Sequence, residues 1–204
     1  MKLIADLELK NPLAIIPMKP KKYNKISENM GYLEDSVFMV DLLTMPKTKQ
    51  GYRFLLTVCD IATKDFDMEP LKSKESKDVK IAFMKISTRP YLDHPYELIT
   101  DGGTESKSDF HDYVTKLKIY HRTSLPYRHN QTANIESLNR SLVKIFFAYM
   151  NDKEVKTGKR YNEWTDIIDT VREQLNKVRR IDPPKETKDE PPLFNEEIPK
   201  YHIG

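Results

Sequence analysis

Residues 37–71 read VFMVDLLTMPKTKQGYRFLLTVCDIATKDFDMEPL, and this stretch decides the fold. Val37-Phe38-Met39-Val40 is a short apolar run of strand length ending in Asp41. Gly51 to Asp60 reads as a second strand and Phe66 to Leu71 as a third, with Pro70 near its end. Three strands separated by short loops predict an antiparallel meander. Further along, Lys74 to Ser87 carries Val79, Ile81, Ala82, Phe83 and Ile86 at helical spacings, and Pro90 stops it. Tyr96 to Thr100 is a fourth short strand, again followed by an aspartate, Asp101. Lys107 to Leu117 places Phe110, Tyr113, Val114 and Leu117 on one helical stripe, and Lys118 to Thr123 returns as a fifth strand. Two long helices close the domain, from about Thr132 to Met150 and from Tyr161 to Arg180, with Thr157-Gly158 as the break between them. A meander followed by strand-helix alternation predicts an α/β fold with a mixed five-stranded sheet flanked by helices.

The flanks differ in composition from this middle. Residues 1–35 hold Pro12, Pro17, Pro20 and the basic run Lys19-Pro20-Lys21-Lys22, and read as an extended lead-in. Residues 182–204 hold Pro183, Pro184, Pro191, Pro192 and Pro199 among acids, a tail in which no long helix can form. One compact domain, 36–181, is expected between them. The formal charge of +3 divides accordingly, +1 over 1–35, +5 over 36–181 and −3 over 182–204. The basic excess falls on the domain, as a polyanionic partner requires, though it is too small to establish one.

The single cysteine, Cys59, excludes an intrachain disulfide and any zinc site built on two or more thiolates. Lying inside an apolar strand, it reads as a small core residue rather than a nucleophile. His94, His111, His121, His129 and His202 lack metal-ligand spacing, and all but His129 read as structural or surface residues. No apolar run reaches the roughly 18 residues of a membrane span, and the N-terminus has no signal-peptide core, so an intracellular, non-secreted protein is expected.

Three acids stand out. Asp41 and Asp101 each follow a strand-like run, where the end of a sheet delivers a side chain into a crevice, although aspartate is also common there as a turn initiator. Glu136 lies on a helix whose Ile135, Leu138, Leu142, Ile145, Phe146 and Tyr149 cluster on one side at about 100° per residue. Glu136, Arg140 and Val143 fall opposite, with Asn139 and Lys144 at the flanks of that sector. On its own the Glu136–Arg140 pair reads as a solvated i,i+4 ion pair. Taken with the two aspartates, Glu136 completes a hard-oxygen site that suits Mg²⁺ or Mn²⁺ and disfavours zinc. Two such ions ~4 Å apart would activate the attacking oxygen and stabilise the leaving oxygen of a phosphodiester.

The segments GYRFLLTVCDIATKDFDMEPLKSKES, ITDGGTES and PYRHNQTANIESLNRSLVK, in that order, resemble the catalytic core of retrovirus-like DDE integrases. The first segment is most similar to those of Maverick/Polinton elements and their virophage relatives. In that family one aspartate ends the first strand, a second ends the fourth, and a glutamate lies early on a long helix about 35 residues later. Asp41, Asp101 and Glu136 match, the last two 35 positions apart.

The resemblance implies a ribonuclease-H-like fold and two Mg²⁺ or Mn²⁺ ions per site, held by these three acids. It also implies 3′-end processing and DNA strand transfer of a mobile element or viral genome into target DNA. Partners implied are double-stranded DNA (element ends and target), a second copy in a homodimer or higher multimer, and a host tethering factor. The implied location is the host nucleus or a viral particle. Tyr127, His129, Gln131, Asn139, Arg140 and Lys144 match positions that contact DNA in the family. Tyr127 suits stacking on an unpaired base, and Arg140 and Lys144 suit phosphate contacts. Ala133 and Ser106 depart from the family's usual glycine and aromatic, and Val143 stands where lysine is frequent, with Lys144 beside it. An upstream zinc-binding domain and a C-terminal domain are not recognisable, so a catalytic-core fragment is expected. A nuclease acting on RNA–DNA hybrids and a domesticated DNA-binding scaffold are the competing readings. For the dimer, the amphipathic helix from Tyr161 to Arg180 is a candidate interface, unless its apolar stripe closes its own core.

Overall fold

The structure, a computed structural model, describes residues 33–101, 103, 108–124 and 133–182. Five strands, β1 (Val37–Thr44), β2 (Phe54–Asp60), β3 (Phe66–Leu71), β4 (Glu97–Thr100) and β5 (Tyr120–Thr123), form one sheet in the order β3-β2-β1-β4-β5. The first three are the expected antiparallel meander, and β4 and β5 run parallel to β1. Four α-helices lie around the sheet: α1 (Ser76–Ile86), α2 (Asp109–Lys116), α3 (Ala133–Thr157) and α4 (Ile168–Arg179).

The central strands are apolar over almost their whole length because both faces of the sheet are covered. Side chains alternate between the two faces. Val37 and Met39 of β1, Leu55 and Cys59 of β2 and Ile99 of β4 pack toward the core that contains α3 and α4. Phe38, Val40, Leu56, Val58 and Leu98 pack toward the core that contains α1 and α2. The same parity turns Asp41 and Thr57 toward α3, and this places the candidate site. Cys59 is fully buried, and burial pushes its thiol up to about 12, in keeping with a core role.

Strand β1 extends beyond Val40. Asp41 does not terminate it, because the antiparallel ladder with β2 continues to Thr44 opposite Phe54. What stops at this level is the parallel ladder, whose last pair is Val40 and Thr100. Asp41 therefore sits where β1 loses its β4 neighbour, and the crevice opens between the two strands. In α1 the buried residues are Val79, Ala82, Phe83 and Ile86, whereas Ile81 falls on the opposite side and is exposed.

Helix α3 runs past Met150 to Thr157, where Gly158 takes the left-handed conformation (φ +65°) and donates its N–H to Glu154 O. The next helix starts later than Tyr161. The Tyr161 N–H donates to the Glu154 carboxylate, and a 3-10 turn, Trp164–Ile167, precedes α4. Trp164 is fully buried against Phe146 and donates its indole N–H to Pro46 O at 2.8 Å, which fixes the turn on the meander. Trp164, Ile167, Ile168, Val171 and Leu175 all join the core, so the apolar stripe of this segment closes its own domain and offers no free dimer face.

At the outer edge of β3, side chains complete the backbone hydrogen bonding. Asn176 accepts from Phe66 N–H and donates to Phe66 O, while Arg172 and Arg89 both donate to Met68 O. Pro70 brings no N–H of its own to this strand. The edge is thereby closed to pairing with another chain. Beneath it, Asp67 is fully buried between the guanidinium groups of Arg172 and Arg89, which lie 2.5 and 2.7 Å from its two oxygens.

Candidate active site

Asp41, Asp101 and Glu136 line one cleft, together with Met39, Val40, Ile99, Thr100 and Ile135. The ladder register sets Asp41 beside Asp101, since each is the residue after the last parallel pair. Glu136 enters from α3, whose inner stripe of Ile135, Leu138 and Leu142 is held in the core. It stands exposed in the first turn, where a negative charge is favoured by the helix dipole. The start of this helix is tied to the meander by Lys64 in the β2–β3 turn, which donates to Asn134 Oδ1 at 3.1 Å.

The Asp41 carboxylate is held on both oxygens. Oδ1 accepts the Leu42 N–H at 2.7 Å and Oδ2 accepts Asn139 Nδ2–H at 2.6 Å. Asn139 is itself fixed, because its Oδ1 accepts the Thr57 hydroxyl at 2.9 Å. Its side chain is buried, 5% exposed, rather than standing on the outer face of α3. In this arrangement Asn139 orients Asp41 and does not face solvent as a DNA contact would. Arg140 and Lys144 are exposed, at four-residue steps beyond Glu136 on the same helix. Tyr127, His129 and Gln131 lie outside the described residues.

Sequence reading missed the role of Asn139 and did not single out Thr57. A hydroxyl in the apolar run FLLTVCD, on the parity of the α3-facing residues, was the available signal. Asn139→Ala is expected to lower activity by about 10–100-fold, the usual loss when a side chain orienting a ligand group is removed. Steady-state assays of that variant against wild type check this, and unchanged kcat would exclude the positioning role.

Burial pushes the Asp41 carboxyl above its ordinary range, and the neighbouring charges of Asp101 and Glu136 act in the same direction, against the Leu42 and Asn139 hydrogen bonds. In the window between the ordinary carboxylate value and the raised one, the folded chain binds more protons than the unfolded chain. Stability therefore falls as pH rises through that window, and the deficit persists above it. Asp41→Asn is expected to melt at a higher temperature than wild type at neutral pH without added metal. A lower melting temperature would mean that the ionised carboxylate stabilises the fold.

The donor set is of oxygen alone, since neither histidine nor cysteine lines the cleft. That chemistry fits a hard divalent cation such as Mg²⁺ or Mn²⁺. Among the described residues, no group of three or more His, Cys, Asp or Glu is drawn together closely enough to hold a metal ion. Three like charges sharing a cleft repel one another until a cation compensates them, which is the electrostatic strain registered at Asp41.

The sheet order and helix placement are those of the ribonuclease-H-like fold in the form found in integrase catalytic cores. The HTLV-2 integrase catalytic core domain in complex with magnesium matches in its trimeric form with a TM-score of 0.56 at 20% identity, over 72% of this chain and 89% of that one. Its dimeric form matches with a TM-score of 0.57 at 18% identity, over 75% and 93%. The simian T-cell lymphotropic virus intasome, in complex with PP2A regulatory subunit B56 gamma, matches with a TM-score of 0.58 at 20% identity, over 78% of this chain and 60% of that one. At these identities the likeness is one of fold. No protein-family model matches the chain, and no curated protein matches it in sequence.

Proposed function

We propose that this chain is the catalytic core of a DDE-type integrase, a polynucleotidyl transferase that processes DNA 3′ ends and joins them to target DNA. The observation that carries the reading is the meeting of Asp41, Asp101 and Glu136 in one cleft, from two adjacent parallel strands and the first turn of α3. The shared fold with retroviral integrase cores supports it. The motif style of residues 51–76 favours a Maverick/Polinton-like element as the source, acting in the host nucleus or carried in a viral particle.

Asp41, Asp101 and Glu136 would hold two Mg²⁺ or Mn²⁺ ions, which when bound supply Lewis-acid activation of the attacking oxygen and charge stabilisation of the leaving one. Asn139 and the Leu42 amide hold the Asp41 carboxylate in a fixed orientation, so little reorganisation is needed when the cleft fills. Arg140 and Lys144, exposed along α3 beyond Glu136, suit contacts with DNA phosphates, which set register without reading sequence. The +5 charge of residues 36–181 favours the same partner. A homodimer or higher multimer, Tyr127, His129 and Gln131 as further DNA contacts, and a host tethering factor belong to the same proposal.

The test is an assay with Mn²⁺ and Mg²⁺ on three substrates: a blunt duplex with a supercoiled plasmid, a branched duplex imitating the strand-transfer product, and an RNA–DNA hybrid. Joining of the duplex, or reversal of the branched substrate, is expected. Cutting of the hybrid alone would favour a nuclease, and failure on all three with no Mn²⁺ binding by calorimetry would favour a scaffold.

A further inference from the structure

Away from the acidic cleft, two histidines ten positions apart face each other. His111 is exposed on α2, and His121 is half-buried on β5. Their Nδ1 atoms lie 2.8 Å apart, with ring centroids 5.1 Å apart and planes tilted by 38°. The other nitrogen of His121, Nε2, is hydrogen-bonded to Thr100 Oγ1 at 2.9 Å, and the Phe110 ring meets the His121 ring edge-on. His121 is thus held from both sides.

Two imidazole lone pairs cannot face each other at this distance without a positive centre between them. A single shared proton is one such centre, and a metal ion is the other. We propose that His111 and His121 form a two-imidazole site for a borderline divalent transition-metal ion of the Zn²⁺ class, separate from the carboxylate cleft. The site assignment does not depend on the integrase reading.

Imidazole suits Zn²⁺ and its neighbours in the transition series, whereas Mg²⁺ prefers oxygen, so the two sites select different ions. With Thr100 accepting from Nε2–H, the Nδ1 of His121 presents its lone pair to the metal. A polar partner on the second nitrogen is the usual way a ligating imidazole is fixed in tautomer and orientation. Tetrahedral coordination at about 2.0–2.1 Å sets two nitrogens about 3.3 Å apart, so the rings must separate by about half an ångström. The exposed His111, on the outer surface of α2, has the freedom to do this. Burial and the His111 neighbour hold His121 below the ordinary histidine range, leaving it neutral and available as a ligand near pH 7. Water completes the coordination, so the site is open to exchange.

Titration of the Asp41→Asn, Glu136→Gln double variant with Co²⁺ and Zn²⁺ isolates this pair from the carboxylates. One equivalent of Co²⁺ is expected to bind with visible d–d absorption, to be displaced by Zn²⁺, and to weaken at least tenfold on adding His111→Ala. His111 is exposed, so that change leaves the core intact; His121→Ala, which also removes a ring packed on Phe110, is the secondary variant. Absence of Co²⁺ binding, or binding unchanged by His111→Ala, would overturn the proposal. Neither outcome bears on the carboxylates, whose metal binding is measured in the unmodified chain.

Discussion

Glu136→Gln is expected to reduce Mg²⁺-dependent DNA joining at least about a thousandfold. The change keeps the size of the side chain and removes its charge. A divalent ion supplies several kcal/mol of transition-state charge stabilisation, and each 1.36 kcal/mol is a factor of ten in rate. Glu136 is exposed in the first turn of α3, so its replacement alters stability within about 0.5 kcal/mol, as surface substitutions usually do. Joining assays run beside thermal melts separate the two effects. Joining at the wild-type rate would remove Glu136 from the catalytic machinery, and a large fall in melting temperature would reduce the activity loss to unfolding.

The largest expected stability effect lies far from the cleft, at Asp67. Its carboxylate is fully buried between Arg172, whose side chain is 5% exposed, and Arg89. Burial raises the Asp67 pKa despite both cations, which marks how strongly desolvation weighs there. Asp67→Ala leaves the Arg172 guanidinium buried without its carboxylate, at a cost of about 3–5 kcal/mol. For a chain of this size that lowers the melting temperature by roughly 6–20 °C, at about 2–4 °C for each kcal/mol. Replacing both partners, Asp67→Leu with Arg172→Met, is expected to cost less than Asp67→Ala alone, because no uncompensated charge remains. Chemical denaturation of the two variants checks the order. A double variant less stable than the single one would mean that the pair contributes net stability.

The meander was legible because its strands are apolar runs broken by short polar loops, a pattern that local sequence carries. Phe66–Leu71 coincides with the expected third strand, whereas β1 was read as ending at Asp41 because a carboxylate breaks the apolar run there. Its continuation rests on the ladder with β2, and residues 54–57 opposite it are not local to it. Tyr161 looked helical by period, but the Glu154 side chain takes its N–H, a tertiary contact that periodicity does not encode. The acids could be singled out by type and place, while their meeting depends on the β1–β4 register. Asn139 sits between the apolar stripe and the polar face of α3, so helical geometry alone left its direction open. Thr57, 82 positions away, settles it. The ion pairs on Asp67 escaped the sequence for the same reason, since Arg172 lies more than a hundred residues distant.

The central claim is that Asp41, Asp101 and Glu136 act as one ligand set. A crystal structure of the protein soaked in Mn²⁺, with anomalous scattering recorded at the manganese edge, tests it most directly. The account predicts manganese peaks in the cleft, one of them bridged by Asp41, with Asp101 and Glu136 each contributing an oxygen and Asn139 still hydrogen-bonded to Asp41. Manganese bound elsewhere, or a cleft without manganese at millimolar concentration, would contradict it.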